Sequence, residues 1–189
     1  MTIQHNLITG SDLHEPKGVA AAGANHVYVA NGSGSGTWKT VASESLHMPR
    51  GNFYFYNTGS PYTLTYSASP QKVAATTVVS GISNLVTEAT TARLTYTGVP
   101  TVIVKLDYDA SLKQSSGSDK EIAIMIHKNG VQIAGSLVDA TFVTADANNL
   151  AGSCIVSAAT NDYFEVYALN GSGSGDMVFN KVSLTLTQA

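Results

Sequence analysis

The residues able to do chemistry are few and scattered. Histidines stand at 5, 14, 26, 47 and 127. No two have the i, i+2 or i, i+4 spacing that would put them on one side of a metal ion. A histidine cluster assembled in space, or around an oligomer axis, stays open. The lone cysteine, Cys154, forbids an internal disulfide and a cysteine-rich zinc site. It lies in the apolar run SCIVSAA, which predicts a buried, inert thiol. No G-x-S-x-G elbow presents a serine nucleophile. Acidic residues come close together at Asp107 and Asp109, at Asp119 and Glu121, and at Asp139 and Asp146. A glycosidase needs two carboxylates facing one sugar across a cleft. Asp107 and Asp109, two apart on an alternating strand, would instead share an outward face with Lys105. A calcium site there would need a denser Asp/Asn/Gly loop. The hexapeptide NGSGSG occurs at 31–36 and 170–175. No Lys-Ser or Lys-Thr follows it at phosphate-loop spacing, so both copies read as tight connections. No catalytic, cofactor or metal site emerges, and the expectation is a protein that is not an enzyme.

Composition narrows the class further. Charged residues make up only 12% of the 189, about half the usual share of roughly 25%. Hydroxyl, amide and glycine residues fill the gap, which suits a surface packed against copies of itself or against a shell. Net charge is −3 and the basic residues form no stripe, so no nucleic-acid partner is expected. No apolar run approaches the roughly 18 residues needed to cross a membrane. The opening MTIQHNLITG lacks the basic start and apolar stretch of a signal peptide. The expectation is a chain that stays in a reducing cytoplasm or leaves it by lysis, with the Asn31 and Asn170 sequons unused.

Residues 1–50 read as an extended segment carrying one short hairpin. Its strands, His26–Ala30 and Thr37–Val41, flank a glycine-serine turn. Pro16 blocks a helix before it, and SESLHMPRG predicts one helical turn capped at Ser43 or Ser45 and stopped by Pro49. Residues 51–70 hold connecting strands, FYFY and YTLTYS, around the turn NTGSP. From Gln71 to Ala189 about eight strands are expected. In TVIVKLDYD, Val102, Val104, Leu106 and Tyr108 share one face and Lys105, Asp107 and Asp109 the other. In EIAIMIHKNGVQIAG, Ile122, Ile124 and Ile126 point inward and Asn129-Gly130 supplies a tight turn. Asp107 and His127 fall outward, as surface positions whose substitution should be nearly silent. On DYFEVYALN, Phe164 and Val166 face the core. Tyr163, Glu165 and Tyr167 then form an outer face fit for a neighbouring subunit or a sugar. In the last strand Val182, Leu184 and Leu186 alternate with Ser183, Thr185 and Thr187. The fold class is all-β: an antiparallel jelly-roll sandwich over 71–189. An immunoglobulin-like sandwich would fit nearly as well on pattern alone.

Residues 71–189 resemble the trimeric jelly rolls of the tumour-necrosis-factor and complement-globular-head type. The resemblance rests on RLTYTGVPTVIVKLDYDASL, on the EIAIMIHKNGVQI hairpin, and on the closing AGSCIVSAATNDYFEVYALNGSGSGDMVFNKVSLTLTQ. Asn161 replaces the usual glycine before the acidic-aromatic step Asp162-Tyr163-Phe164. Residues 8–38, ITGSDLHEPKGVAAAGANHVYVANGSGSGTW, resemble a leader common in bacteriophage structural proteins. The resemblance implies a leader that attaches to the particle or threads a trimer. It points to Leu13, His14, Glu15, Pro16, Lys17, Gly18, Tyr28 and Trp38. The implied function is a homotrimeric capsid-decoration or head-fibre protein docked on the major capsid protein or another virion protein. Such a protein is assembled in the bacterial cytoplasm and ends in the virion. The alternative is a receptor-binding tail-fibre or spike tip that holds a host surface glycan or protein. A long fibre should carry a shaft of repeats, and none is present.

Overall fold

The computed structural model describes residues 26–30, 36–40, 48–57, 59–76, 78–79, 83–115, 119–143, 146–171 and 175–189. The chain divides into two compact units, Met1–His47 and Met48–Ala189. The described part of the first is a hairpin of β1 (His26–Ala30) and β2 (Gly36–Thr40). Its register places Tyr28 opposite Trp38. The helical turn expected at Ser43 or Ser45 lies outside the described residues. Pro49 is buried, and a strand begins directly after it.

The second unit is an antiparallel jelly-roll sandwich, and among the described residues it contains no helix. Its elements are β3 (Arg50–Tyr56), β4 (Tyr62–Leu64), β5 (Gln71–Lys72), β6 (Val78–Val79), β7 (Val86–Ala89) and β8 (Arg93–Tyr96). The long strands follow: β9 (Val102–Gln114), β10 (Lys120–Lys128), β11 (Val131–Gln132), β12 (Val138–Phe142), β13 (Asn148–Ala158), β14 (Tyr163–Asn170) and β15 (Met177–Gln188). One sheet runs β13-β9-β15-β3-β6, with β4 also on β15. The other runs β11-β10-β14-β8-β7, with β12 also on β10 and β5 on β14. From β8 onward the chain changes sheet at every connection except those joining β10, β11 and β12. That crossing pattern separates a jelly roll from a sandwich built of hairpins within each sheet. Residues 51–70 supply β3 and β4, and both pair with β15.

The core lies between the sheets, where period-two alternation from each side meets. Val104, Leu106, Tyr108 and Leu112 come from β9, and Ile122, Ile124 and Ile126 from β10. Phe164 and Val166 come from β14, and Phe179, Val182, Leu184 and Leu186 from β15. Removing each such side chain from water contributes about 1.5–3 kcal/mol before entropy is counted. On β15 the buried positions change parity between Phe179 and Val182. A bulge at Asn180 absorbs the extra residue, so both halves of the strand face inward. The Asn129-Gly130 turn has φ 52° and 81°, the left-handed pair that closes a two-residue hairpin. Asn161 has φ 71°, so a turn-capable residue is required there.

One expectation fails on β10. Alternation put His127 on the surface, yet it is only 8% exposed, and Met125 and Ala123 on the same outward side are buried too. β10 lies inside its sheet, with β14 on one side and β11 and β12 on the other. Large neighbours therefore close over its outward side chains as well.

Candidate functional site

The leader residues Leu13, His14, Glu15, Pro16, Lys17 and Gly18 lie outside the described residues, as do His5 and His47. Tyr28 and Trp38 meet edge to face, with ring centroids 5.3 Å apart at 63°. Gly36 makes this possible: a β-carbon there would fall 2.3 Å from the Val29 carbonyl oxygen and 2.8 Å from the Tyr28 ring.

Tyr163, Glu165 and Tyr167 share the outward side of β14, as alternation requires, while Phe164 and Val166 are fully buried. They do not form the open face expected of them. Glu165 is 2% exposed. Its Oε1 accepts from Lys72 Nζ at 2.7 Å and from Arg93 Nε at 2.8 Å. Lys72 arrives on β5, opposite Tyr167, and Arg93 on β8, opposite Glu165 itself. The carboxylate thus ties two separate strands to β14. The Arg93 guanidinium lies 4.1 Å from the Tyr163 ring centroid. The His127 ring stacks on Tyr167 at 3.7 Å and 7°, with Nδ1 against the Gly130 carbonyl oxygen at 3.0 Å. His127 Nε2 is buried without a partner. Burial raises the Tyr167 pKa, and the Glu165 charge adds to that. One ring face of each tyrosine is already occupied, which leaves a poor platform for a stacked sugar.

The outward side of the other sheet is built differently. Its charges pair with one another, within β9 and between β15 and β9. Lys105 Nζ sits 2.8 Å from Asp107 Oδ1, and Lys181 Nζ sits 2.7 Å from Asp109 Oδ1. Ser183 Oγ donates to Asp109 Oδ2. Around them lie Ser153, Ser157, Thr185 and Thr187, with exposed Ile103 (52%), Ile155 (65%), Tyr54 and Tyr56. β13 runs along one border of the sheet, and among the described strands it pairs only with β9.

Three other reactive groups sit in structural settings. Cys154 is half-buried and faces the core, and its thiol pKa is raised by burial and then by Asp107. The Tyr108 hydroxyl donates to the Ser136 carbonyl, and its pKa is pushed up to about 12, first by burial and then by Cys154. Asp162 accepts from Asn129 Nδ2, Lys128 Nζ and the Ala159 amide, each at 2.7 Å. Burial raises the Asp162 pKa, but these hydrogen bonds and the Lys128 charge outweigh it, and the net direction is down. Among the described residues no three His, Cys, Asp or Glu side chains gather as a metal would require. Nor is any helix there long and apolar enough to cross a membrane.

Sequence reasoning missed the Lys72–Glu165–Arg93 cluster. Its only signal was the acidic residue between two tyrosines on a strand whose other side is apolar.

No protein-family model matches the chain, and no curated protein does. Solved structures do. Eiger TNF from S. frugiperda aligns with 75% of this chain and 93% of its own, at 10% identity and a TM-score of 0.48. PRD1 vertex protein P5 aligns with 74% of this chain and 96% of its own, at 8% identity and 0.45. The globular domain of zebrafish complement 1qA protein aligns with 75% and 96%, at 12% identity and 0.43.

Proposed function

We propose that this chain is a non-enzymatic structural protein of a bacteriophage particle. It assembles as a homotrimer and docks through its leader on the major capsid protein or another virion protein. One observation carries the self-association: the outward side of the β13-β9-β15-β3 sheet. Its ion pairs are closed within the chain, so they need no oppositely charged partner. Its hydroxyls and exposed isoleucines and tyrosines give the mixed polar and apolar surface found at protein interfaces. Among the described strands β13 pairs only with β9, and such a strand edge is one that another chain can cover or pair with.

Attachment is assigned to the leader on different grounds. A two-stranded hairpin is marginal alone in water, and an aromatic pair such as Tyr28–Trp38 gains most when a partner buries it. The non-enzymatic reading is supported by the way Glu165, Asp109 and Asp162 are each consumed by structural bonds.

Deleting residues 1–50 tests the anchoring. The expected product is a folded trimer that no longer joins particles. Decoration at full occupancy by the truncated chain would move the attachment site onto the jelly roll.

A further inference from the structure

Three Asn-Gly steps occur in the chain, at 31–32, 129–130 and 170–171. An asparagine before glycine is chemically vulnerable, because glycine has no side chain to shield its own amide. The Gly130 nitrogen attacks Asn129 Cγ. The new N–C bond forms as the Cγ–Nδ2 bond breaks, and ammonia leaves with the Gly130 proton. Water then opens the succinimide at either carbonyl, giving aspartate or isoaspartate. The sequence is redox-neutral and needs only solvent.

Asn129 and Gly130 are both exposed at the β10–β11 turn, yet the Asn129 side chain is tied down at both ends. Its Nδ2 donates to Asp162 Oδ1 at 2.7 Å, and its Oδ1 accepts from the Tyr163 amide at 3.0 Å. The Asn129 amide also donates to the Tyr163 carbonyl at 2.9 Å. For Cγ to reach the Gly130 nitrogen, the carboxamide must leave Asp162. We propose that Asn129 is a deamidation site guarded by Asp162, and that its conversion unlocks this end of the sandwich.

The unlocking follows from the same geometry. Aspartate at 129 replaces a donor with an oxygen facing Asp162 Oδ1, and two carboxylates that close repel one another while both are ionised. Lys128, on β10, already contacts Asp162 Oδ2 and is the cation at this pair. The nearby charges Arg93 and Glu165 are occupied with each other. The β10–β11 turn therefore loses its side-chain bond to Asp162 on the β13–β14 loop. Asn170 differs, being buried with Nδ2 on the Gly175 carbonyl oxygen at 3.0 Å.

Peptide mapping by mass spectrometry, on the full chain incubated at mildly alkaline pH, tests both halves. Asn129 should deamidate about tenfold or more slowly in the folded chain than in urea, the factor lost when a charge-assisted hydrogen bond must first break. Asp162→Ala should restore most of the unfolded rate at Asn129 while leaving Asn31, in the same molecule, unchanged. Asp162→Asn, which keeps the shape, should fall between the two and serves if the alanine variant does not fold. Equal rates at Asn129 in folded and urea-treated wild type would overturn the guard. For the unlocking, Asn129→Asp should melt below wild type at neutral pH, and the gap should narrow as the pH falls and one carboxylate takes a proton. Equal melting at neutral pH would overturn it.

Discussion

The outward sides of the two sheets begin from the same rule and end differently. Each is the polar half of a period-two alternation. On β14 that half is closed: Lys72, Arg93 and His127 come in from β5, β8 and β10 and cover Glu165, Tyr163 and Tyr167. On β13, β9 and β15 it is open, with solvent-exposed ion pairs, hydroxyls and bare isoleucines. Alternation tells which side a residue faces. It does not tell whether neighbouring strands carry side chains long enough to reach over it. A polar residue on the closed side acts as part of the core, whereas one on the open side is free to serve an interface.

Substitutions should sort along that line. The largest effect is expected between the sheets: Phe164→Ala should destabilise by about 3–5 kcal/mol and Ile124→Ala by about 2–5 kcal/mol in denaturant unfolding. Next comes the closed side. Glu165→Gln leaves two cations without their shared carboxylate, and should cost about 1–3 kcal/mol. The figure sits below that for a fully buried pair because Lys72 and Arg93 both reach solvent and can rehydrate. Asp107→Asn on the open side should stay within about 0.5 kcal/mol. Equal costs at 165 and 107 would erase the distinction between the two sides.

His127→Gln sharpens the comparison, because alternation alone would make it silent. Loss of the stack on Tyr167 should cost about 0.5–1.5 kcal/mol. The smallest effect concerns pH. The Asp162 pKa is lowered in the fold, so its bonds contribute stability above the unfolded aspartate value, and that stability is lost as pH falls through the lowered one. Wild type and Asp162→Asn should therefore converge in melting temperature on acidification through the ordinary aspartate range and below it. A constant gap down to strong acid would remove Asp162 from the account.

Much of the fold was legible where strands are long. The alternations of β9 and β15 and the Asn129-Gly130 turn each carry their own local signal. Shorter pieces were not. YTLTYS yields only Tyr62–Leu64, and QKVAATTVV splits into β5 and β6, because pairing partners far along the chain decide where a ladder stops. The bulge at Asn180 was invisible for a related reason: it shows only once β9 sets the register of β15. The site was least legible. Lys72 and Arg93 are 93 and 72 residues from Glu165, and nothing local announces that β5 and β8 share the same border of β14.

The central claim is that the open side is where copies of this chain meet. Sedimentation velocity at micromolar concentration, on wild type and Ile155→Asp, tests it most directly. The prediction is a trimer for the wild type and a folded monomer for the variant, since Ile155 is exposed in the single chain and its replacement should leave the core intact. A wild-type monomer, or a variant that stays trimeric, would contradict it.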